Sequence, residues 1–156
     1  MGPSLSLRER KEVTAPTPTA GIIDAGEHLL PVRVYYEDTD FTGVVYHANY
    51  LRYFERGRSD FLRLRGISHT ELRARQTPIA FVVRRMQIDF ARAARVDDAL
   101  VIRTAYDAQK GARILVRQKI ERDGEIIASA AVEVACIRLD GRPVKPPPDV
   151  LAALQL

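Results

Sequence analysis

Hydrophobic and polar positions change period twice along this chain, and each change marks an element. From Leu29, the run LLPVRVYYE sets Val32, Val34 and Tyr36 against Arg33 and Tyr35, the period of two that a strand presents. DTDFTG follows and reads as a loop by its Asp, Thr and Gly content. From about His47 the period becomes helical. Leu51, Phe54, Gly57, Phe61 and Leu64 recur every three or four residues on one stripe, with Arg52, Glu55, Arg56, Arg63 and Arg65 on the other faces. This predicts one amphipathic helix of about five turns lying on a broad surface. Gly57 in its middle costs about 1 kcal/mol relative to alanine in an exposed helix. On the apolar stripe it therefore implies a backbone pressed against a sheet, and Gly66 ends the helix.

Beyond it, ISHTELRARQ predicts a short second helix with Ser68 as N-cap and Glu71 completing a capping box. Four strand patterns come next: IAFVVRRMQIDFARA, ALVIRTAYDAQ, ARILVRQKIERD and EIIASAAVEVACIRL. VDD, KG and DG separate them and suit tight connections between antiparallel neighbours. The tail GRPVKPPPDVLAAL carries a proline stop and a terminal helical turn or two. Strand, long helix and four strands make an α+β domain, a sheet with one helix across it. Residues 1–28 are polar, rich in Pro, Thr and Ser, and lack a sustained period. They are expected to form a flexible extension ahead of a domain at 29–156.

Composition narrows the classes of function. A chain of 156 residues can bury a core without disulfides or metal. At 46% hydrophobic and 28% charged, with no long apolar run, it reads as soluble with no membrane span. The net charge of +4 comes from 24 Lys and Arg against 20 Asp and Glu, with no basic run of interleaved aromatics. Nucleic acid is therefore not an expected partner, whereas scattered arginine suits a solvated surface or a phosphate-bearing ligand. Cys136 stands alone in an apolar strand pattern, which excludes an intramolecular disulfide and reads as a small core residue rather than a nucleophile. The opening MGPSLSLRERKEVTAPTPTAG has charges where a secretory signal needs its apolar stretch, so a cytoplasmic location is expected.

Candidate chemistry concentrates between Asp38 and Tyr50. Asp38 and Asp40 stand nine and seven residues before His47 at the helix start. The first turn of a helix exposes unpaired backbone amides at the positive end of the macrodipole, a place suited to a developing oxyanion. A carboxylate facing those amides can attack a thioester carbonyl or activate water against it. DTD equally has the composition of turn residues and caps. His47 is open in the same way, as a group that orients a thioester or moves a proton, or as a cap or packing residue. No spaced set of His, Cys and acidic ligands points to a metal, and no GxSxG, GxGxxG or P-loop pattern occurs.

The run VRVYYEDTDFTGVVYHANYLRYFERGRSDFLR resembles the signature of the 4-hydroxybenzoyl-CoA thioesterase family, and within it the Tol-Pal-associated branch of acyl-CoA thioesterases. The similarity continues through PIAFVVRRMQIDFARAARVDDAL and weakly to Cys136. It implies a hotdog fold, a five-stranded antiparallel sheet wrapped around one long central helix. It also implies subunits paired edge to edge with the active site at their interface, dimers joined into tetramers, and no metal or redox cofactor. The expected reaction is hydrolysis of an acyl-CoA to free acid and CoA. By this resemblance the catalytic aspartate is Asp40 rather than Asp38, the branch histidine is His47, and the amide near Tyr46 and His47 polarises the carbonyl. Gly43, Val44, Tyr46 and Asn49 are then expected along the substrate, with Gly43 letting the backbone approach it closely. Arginines such as Arg84, Arg85 and Arg92 are candidates for the CoA phosphates, although neighbours in a strand point to opposite faces. Nucleophilic and general-base roles for Asp40 both stay open, and both need it ionised. Two other readings stand beside it: an adaptor that binds acyl-CoA or acyl carrier protein in envelope or phospholipid metabolism with little turnover, and a hotdog dehydratase or hydratase acting on the same thioesters, although such relatives place their acid or base differently along the fold.

Overall fold

A computed structural model of the protein describes residues 14–18 and 20–156. Residues 1–13 of the expected extension lie outside the described residues. Regular structure begins earlier than Leu29. Strands β1 (Ile22–Asp24) and β2 (Glu27–Arg33) form a hairpin whose turn residues Ala25 and Gly26 both have positive φ, 49° and 77°. The boundary expected at residue 28 is thus wrong, and His28, assigned to the extension, is fully buried. Its Nε2 lies 2.7 Å from Asp60 Oδ2 on the central helix, and the same oxygen accepts from the Gly21 amide at 2.8 Å. A three-residue strand set off by one small turn has too little periodicity to stand out in a sequence.

The strand expected to run to Glu37 stops at Arg33, and a 3-10 turn (Tyr36–Asp38) leads into the loop, leaving Tyr36 exposed. Helix α1 (His47–Leu64) follows as expected, with 18 residues. Its buried face is rotated from the expected stripe. Tyr50, Tyr53, Phe54, Gly57 and Phe61 are buried, whereas Leu51 and Leu64 are exposed. The rotation follows from what α1 lies on. Its underside carries Asn49 and Asp60 to buried polar partners, so the buried set is not the apolar set. Helix α2 (His69–Arg73) starts at Ser68, whose Oγ accepts from the Glu71 amide at 3.1 Å.

Strands β3 (Ile79–Phe90), β4 (Ala99–Lys110), β5 (Arg113–Arg122) and β6 (Glu125–Arg138) complete the sheet, and α3 (Pro148–Ala153) closes the chain against the core through Val150. The sheet has six strands rather than five, all antiparallel, in the order β1-β2-β4-β5-β6-β3. Consequently β3 and β4 are not neighbours. The segment between them crosses the fold instead of turning tightly, and it passes the start of α1, where Ala94 O accepts from the Val45 amide at 2.8 Å.

Strand β5 shows how the sheet receives the helix. Ile114, Val116, Gln118 and Ile120 point inward while Arg113, Leu115, Arg117 and Lys119 point out. Gln118 is polar and still buried because every group on it has a partner. Its Nε2 donates to Phe54 O and Thr104 Oγ1, and its Oε1 accepts from Arg58. Gly57 sits directly above this layer. A Cβ there would stand 2.7 Å from Thr104 Oγ1 and 2.9 Å from Ile102 Cγ2, which is the close helix–sheet approach expected at that residue. Cys136 is buried in the core, and burial pushes its thiol up to about 11, as expected of a packing residue.

Candidate active site

The loop between β2 and α1 is built around two aspartates that do opposite things. Asp38 is buried. Its Oδ2 accepts from the Tyr35 amide at 2.8 Å and its Oδ1 from Asn49 Nδ2 at 2.6 Å, while its carbonyl accepts from the Tyr46 amide. It is thus more than the turn residue expected, because it ties the entry of the loop to the first turn of α1. Asn49, expected along the substrate, is buried and donates its side-chain amide to Asp38.

Asp40 is exposed, and its Oδ1 accepts from both the amide and the hydroxyl of Thr42 at 2.7 Å. The Thr42 hydroxyl, and after it the Thr42 amide, hold the Asp40 carboxyl below its ordinary value. It is therefore ionised at neutral pH. The backbone around it is closed by Asp40 N–H donating to Val44 O at 2.8 Å and Gly43 N–H donating to Asp40 O at 3.1 Å. Gly43 has φ +83°, which explains the glycine by backbone conformation, and a Cβ there would meet nothing within 4 Å.

Asp40, Val44, Val45, His47, Tyr50 and Phe90 line a shallow groove of about 370 Å³, with Ala91, Arg92 and Ala93 of the crossover segment on its other side. His47 is the first residue of α1 and exposed, its ring 4.5 Å from that of Tyr46 and edge-on to Phe90 at 6.5 Å. Tyr50 closes the floor. Its hydroxyl accepts from the Ala94 amide at 3.1 Å, and burial raises its pKa, so it remains a neutral phenol. Among the described residues no side chain caps the first turn of α1, and that turn contains no acidic residue. The macrodipole's positive end is thus left open beside an ionised carboxylate.

Tyr46, Arg84 and Arg85 are also expected at the site. The Tyr46 amide donates to Asp38 O, so it is not free to polarise a carbonyl, and Tyr46 lines neither depression beside Asp40. Arg84 and Arg85 also stand apart from the groove. A register shift between Val83 and Arg85 interrupts the alternation expected of neighbours in a strand, and Arg84 NH1 donates to Glu133 at 2.6 Å. Arg92, by contrast, is at the groove wall. Phe90 and the alanines around Arg92 were not singled out in the sequence, because only the crossover brings the end of β3 to the helix start. No group of three or more metal-binding side chains occurs among the described residues.

Residues 34–154 match the thioesterase-like superfamily. The chain belongs to that family. An acyl-CoA thioesterase of Haemophilus influenzae is 46% identical over 124 residues, 79% of this chain and 90% of its own length. An acyl-CoA thioester hydrolase of Escherichia coli is 42% identical over 69% of this chain and 79% of its own. The crystal structure of a probable thioesterase from Bartonella henselae superposes with a TM-score of 0.76 at 44% identity, covering 78% of this chain and 99% of that one. The family resemblance read from the loop and helix start therefore stands, as does the hotdog fold, with a sixth strand added by β1. Among the described residues no helix is long and apolar enough to cross a membrane.

Proposed function

We propose that the protein hydrolyses an acyl-CoA thioester to the free acid and CoA in the groove beside Asp40. The observation that carries this reading is an ionised carboxylate next to an uncapped helix start, within a family whose relatives are named for that reaction. The thioester carbonyl lies across the groove with its oxygen at the first-turn amides of α1, beginning with that of His47. Asp40 either attacks the carbonyl carbon, giving a mixed anhydride that water then cleaves, or removes a proton from water as that water attacks. In both routes negative charge gathers on the carbonyl oxygen and the amides stabilise it. As the charge returns, the C–S bond breaks and CoA leaves as a thiolate, which takes its proton from solvent or, in the general-base route, from Asp40. His47, at the groove mouth, orients the thioester. No metal or redox cofactor enters this scheme.

The same reading places the work in the cytoplasm and in an oligomer, dimer or tetramer. Strand β3 supports the latter as an edge strand of 12 residues, with Val82, Val83 and Phe90 exposed along it. Acyl carrier protein is an alternative carrier of the same thioester. Thiol release from a panel of short, long and aromatic acyl-CoAs tests the reading. Measurable turnover on at least one is expected, and none on any would sink it.

The acid side of the pH profile is set by Asp40. Because hydrogen bonds from Thr42 hold its pKa below the ordinary value, kcat/KM is expected to fall only as pH drops through that lowered pKa. Thr42→Val removes the hydroxyl donor and raises the pKa, so the acid limb shifts to higher pH. A pH–rate profile in which the two limbs coincide would show that another group sets it.

A further inference from the structure

The far wall of the Asp40 groove is made of backbone more than of side chains. Ala91 and Ala93 end at Cβ, and the side chain of Arg92 between them is more than half exposed. The width of the groove therefore depends on where the crossover backbone is tied. The Ala91 and Arg92 amides both donate to Ile127 O, at 2.9 and 3.1 Å, and the Ala94 amide donates to the Tyr50 hydroxyl at 3.1 Å. Between these ties lies the Ala93 carbonyl. It accepts from Arg122, at the end of β5, at 3.1 Å.

Arg122 reaches this wall from 29 residues further along the chain. The same guanidinium nitrogen, Nη1, also donates to Asp98 Oδ2 at 2.7 Å, and that oxygen accepts from the Arg95 amide at 2.8 Å. Asp98 N–H donates back to Arg95 O at 3.1 Å, closing a turn in which Asp97 has φ +71°, the left-handed region that favours glycine. A turn of this kind persists where its surroundings hold it. Arg122 supplies that hold from a second element, joining the turn and the groove wall through one nitrogen. Its side chain is 26% exposed and that of Asp98 25%, so the pair is less screened than an ion pair in open solvent. Arg117, on the same strand, offers a comparison. It pairs with Asp107 at 2.6 Å, but its side chain is 64% exposed and the pair lies away from the groove.

We propose that Arg122 is a positioning residue for the thioester: with Asp98 it fixes the crossover backbone at Ala93 and so sets the spacing between this wall and the Asp40 loop. The inference rests on the thioesterase reading for what the groove holds. Arg122 does not line the groove, so it acts on the substrate only through the wall. Asp40 and the first-turn amides of α1 belong to the opposite side and keep their own ties, through Thr42 and through Asp38 with Asn49. Ala94 O also still accepts from the Val45 amide, so without Arg122 the wall is loosened at Ala93 rather than detached. Losing the clamp therefore weakens the hold on the thioester more than it slows cleavage, and appears as a raised KM at nearly constant kcat.

Steady-state kinetics of the full chain on the best substrate of the acyl-CoA panel, beside amide hydrogen exchange at Ala94, tests this role. Arg122→Gln is expected to raise KM about fivefold or more with kcat within about twofold, and to speed exchange at Ala94 about tenfold or more. Arg122→Lys should recover most of both effects, because the two bonds leave one nitrogen and an ammonium carries enough donors for both. Arg117→Gln, which breaks the comparison pair on the same strand, should leave KM, kcat and Ala94 exchange unchanged. Thermal midpoints check that each variant is folded. An unchanged KM in Arg122→Gln, a loss confined to kcat that tracks the melting temperature, or the same rise of KM in Arg117→Gln would overturn the role. Absence of turnover in the unmodified protein would count against the thioesterase reading alone. Exchange at Ala94 then decides whether Arg122 holds the wall, and an unaltered rate in Arg122→Gln overturns it.

Discussion

Asp40→Asn is expected to lower kcat for acyl-CoA hydrolysis by about a hundred- to ten-thousand-fold, the range associated with a positioned general base. The substitution is close to silent for the fold. The Asp40 side chain is exposed and its partners are the amide and hydroxyl of Thr42, and an asparagine carbonyl oxygen accepts from both. What it loses is the negative charge that either mechanism requires. Thiol release measured under substrate saturation, beside a thermal melt of the same preparation, separates the two effects. An unchanged kcat would remove Asp40 from the chemistry and leave the first-turn amides of α1 without their partner. A drop accompanied by an equal fall in melting temperature would instead assign Asp40 to the loop's architecture.

The second large effect is expected at Gly57, far from any reacting atom. Gly57→Val should destabilise the protein by about 3 kcal/mol or more, since β-branched carbons would be driven into Thr104, Ile102 and Gln118. The helix itself gains from losing a glycine, by roughly 0.5 kcal/mol, which is too little to offset the overlap. For a chain of this size that loss lowers the melting temperature by about 6–12 °C. A melt within a degree or two of the unmodified protein would show that α1 can lift from the sheet at no cost. The consequence for function is indirect and real. Tilting α1 displaces the His47 end relative to the loop that carries Asp40, which is tied to the helix start through Asp38, Asn49 and the Tyr46 amide.

The long helix, its length and the glycine at its middle were readable from period alone, because α1 is amphipathic over five turns and long periodic segments are hard to mistake. Its buried face was less readable. Counting only apolar residues placed Leu51 and Leu64 inward, whereas the structure buries Asn49 and Asp60 with their partners and leaves those leucines exposed. A buried polar residue cannot be recognised until its partner is located, and the partners here are distant: His28 is 32 residues from Asp60, and Asp38 is 11 from Asn49. The boundary error near Leu29 has the same origin. His28 looked like part of a polar extension because the carboxylate that makes its burial tolerable lies on another element.

For the candidate site, the residue types between Asp38 and Tyr50 and their position before a helix were visible in the chain, and the family resemblance selected Asp40 over Asp38. By itself the sequence determined that a carboxylate, a glycine-containing turn and a helix start would be local neighbours, since all lie within one short stretch whose spacing no fold can alter. Only the tertiary structure decided which of these groups remain free. It spent Asp38, Asn49 and the Tyr46 amide on holding the loop to α1, left Asp40 exposed beside a helix start with no side-chain cap, and brought Phe90 and Arg92 across from the far end of β3. The physical reason is that hydrogen-bond partners and groove walls are set by which strands lie side by side, and the β3–β6 and β2–β4 pairings join segments far apart in the chain.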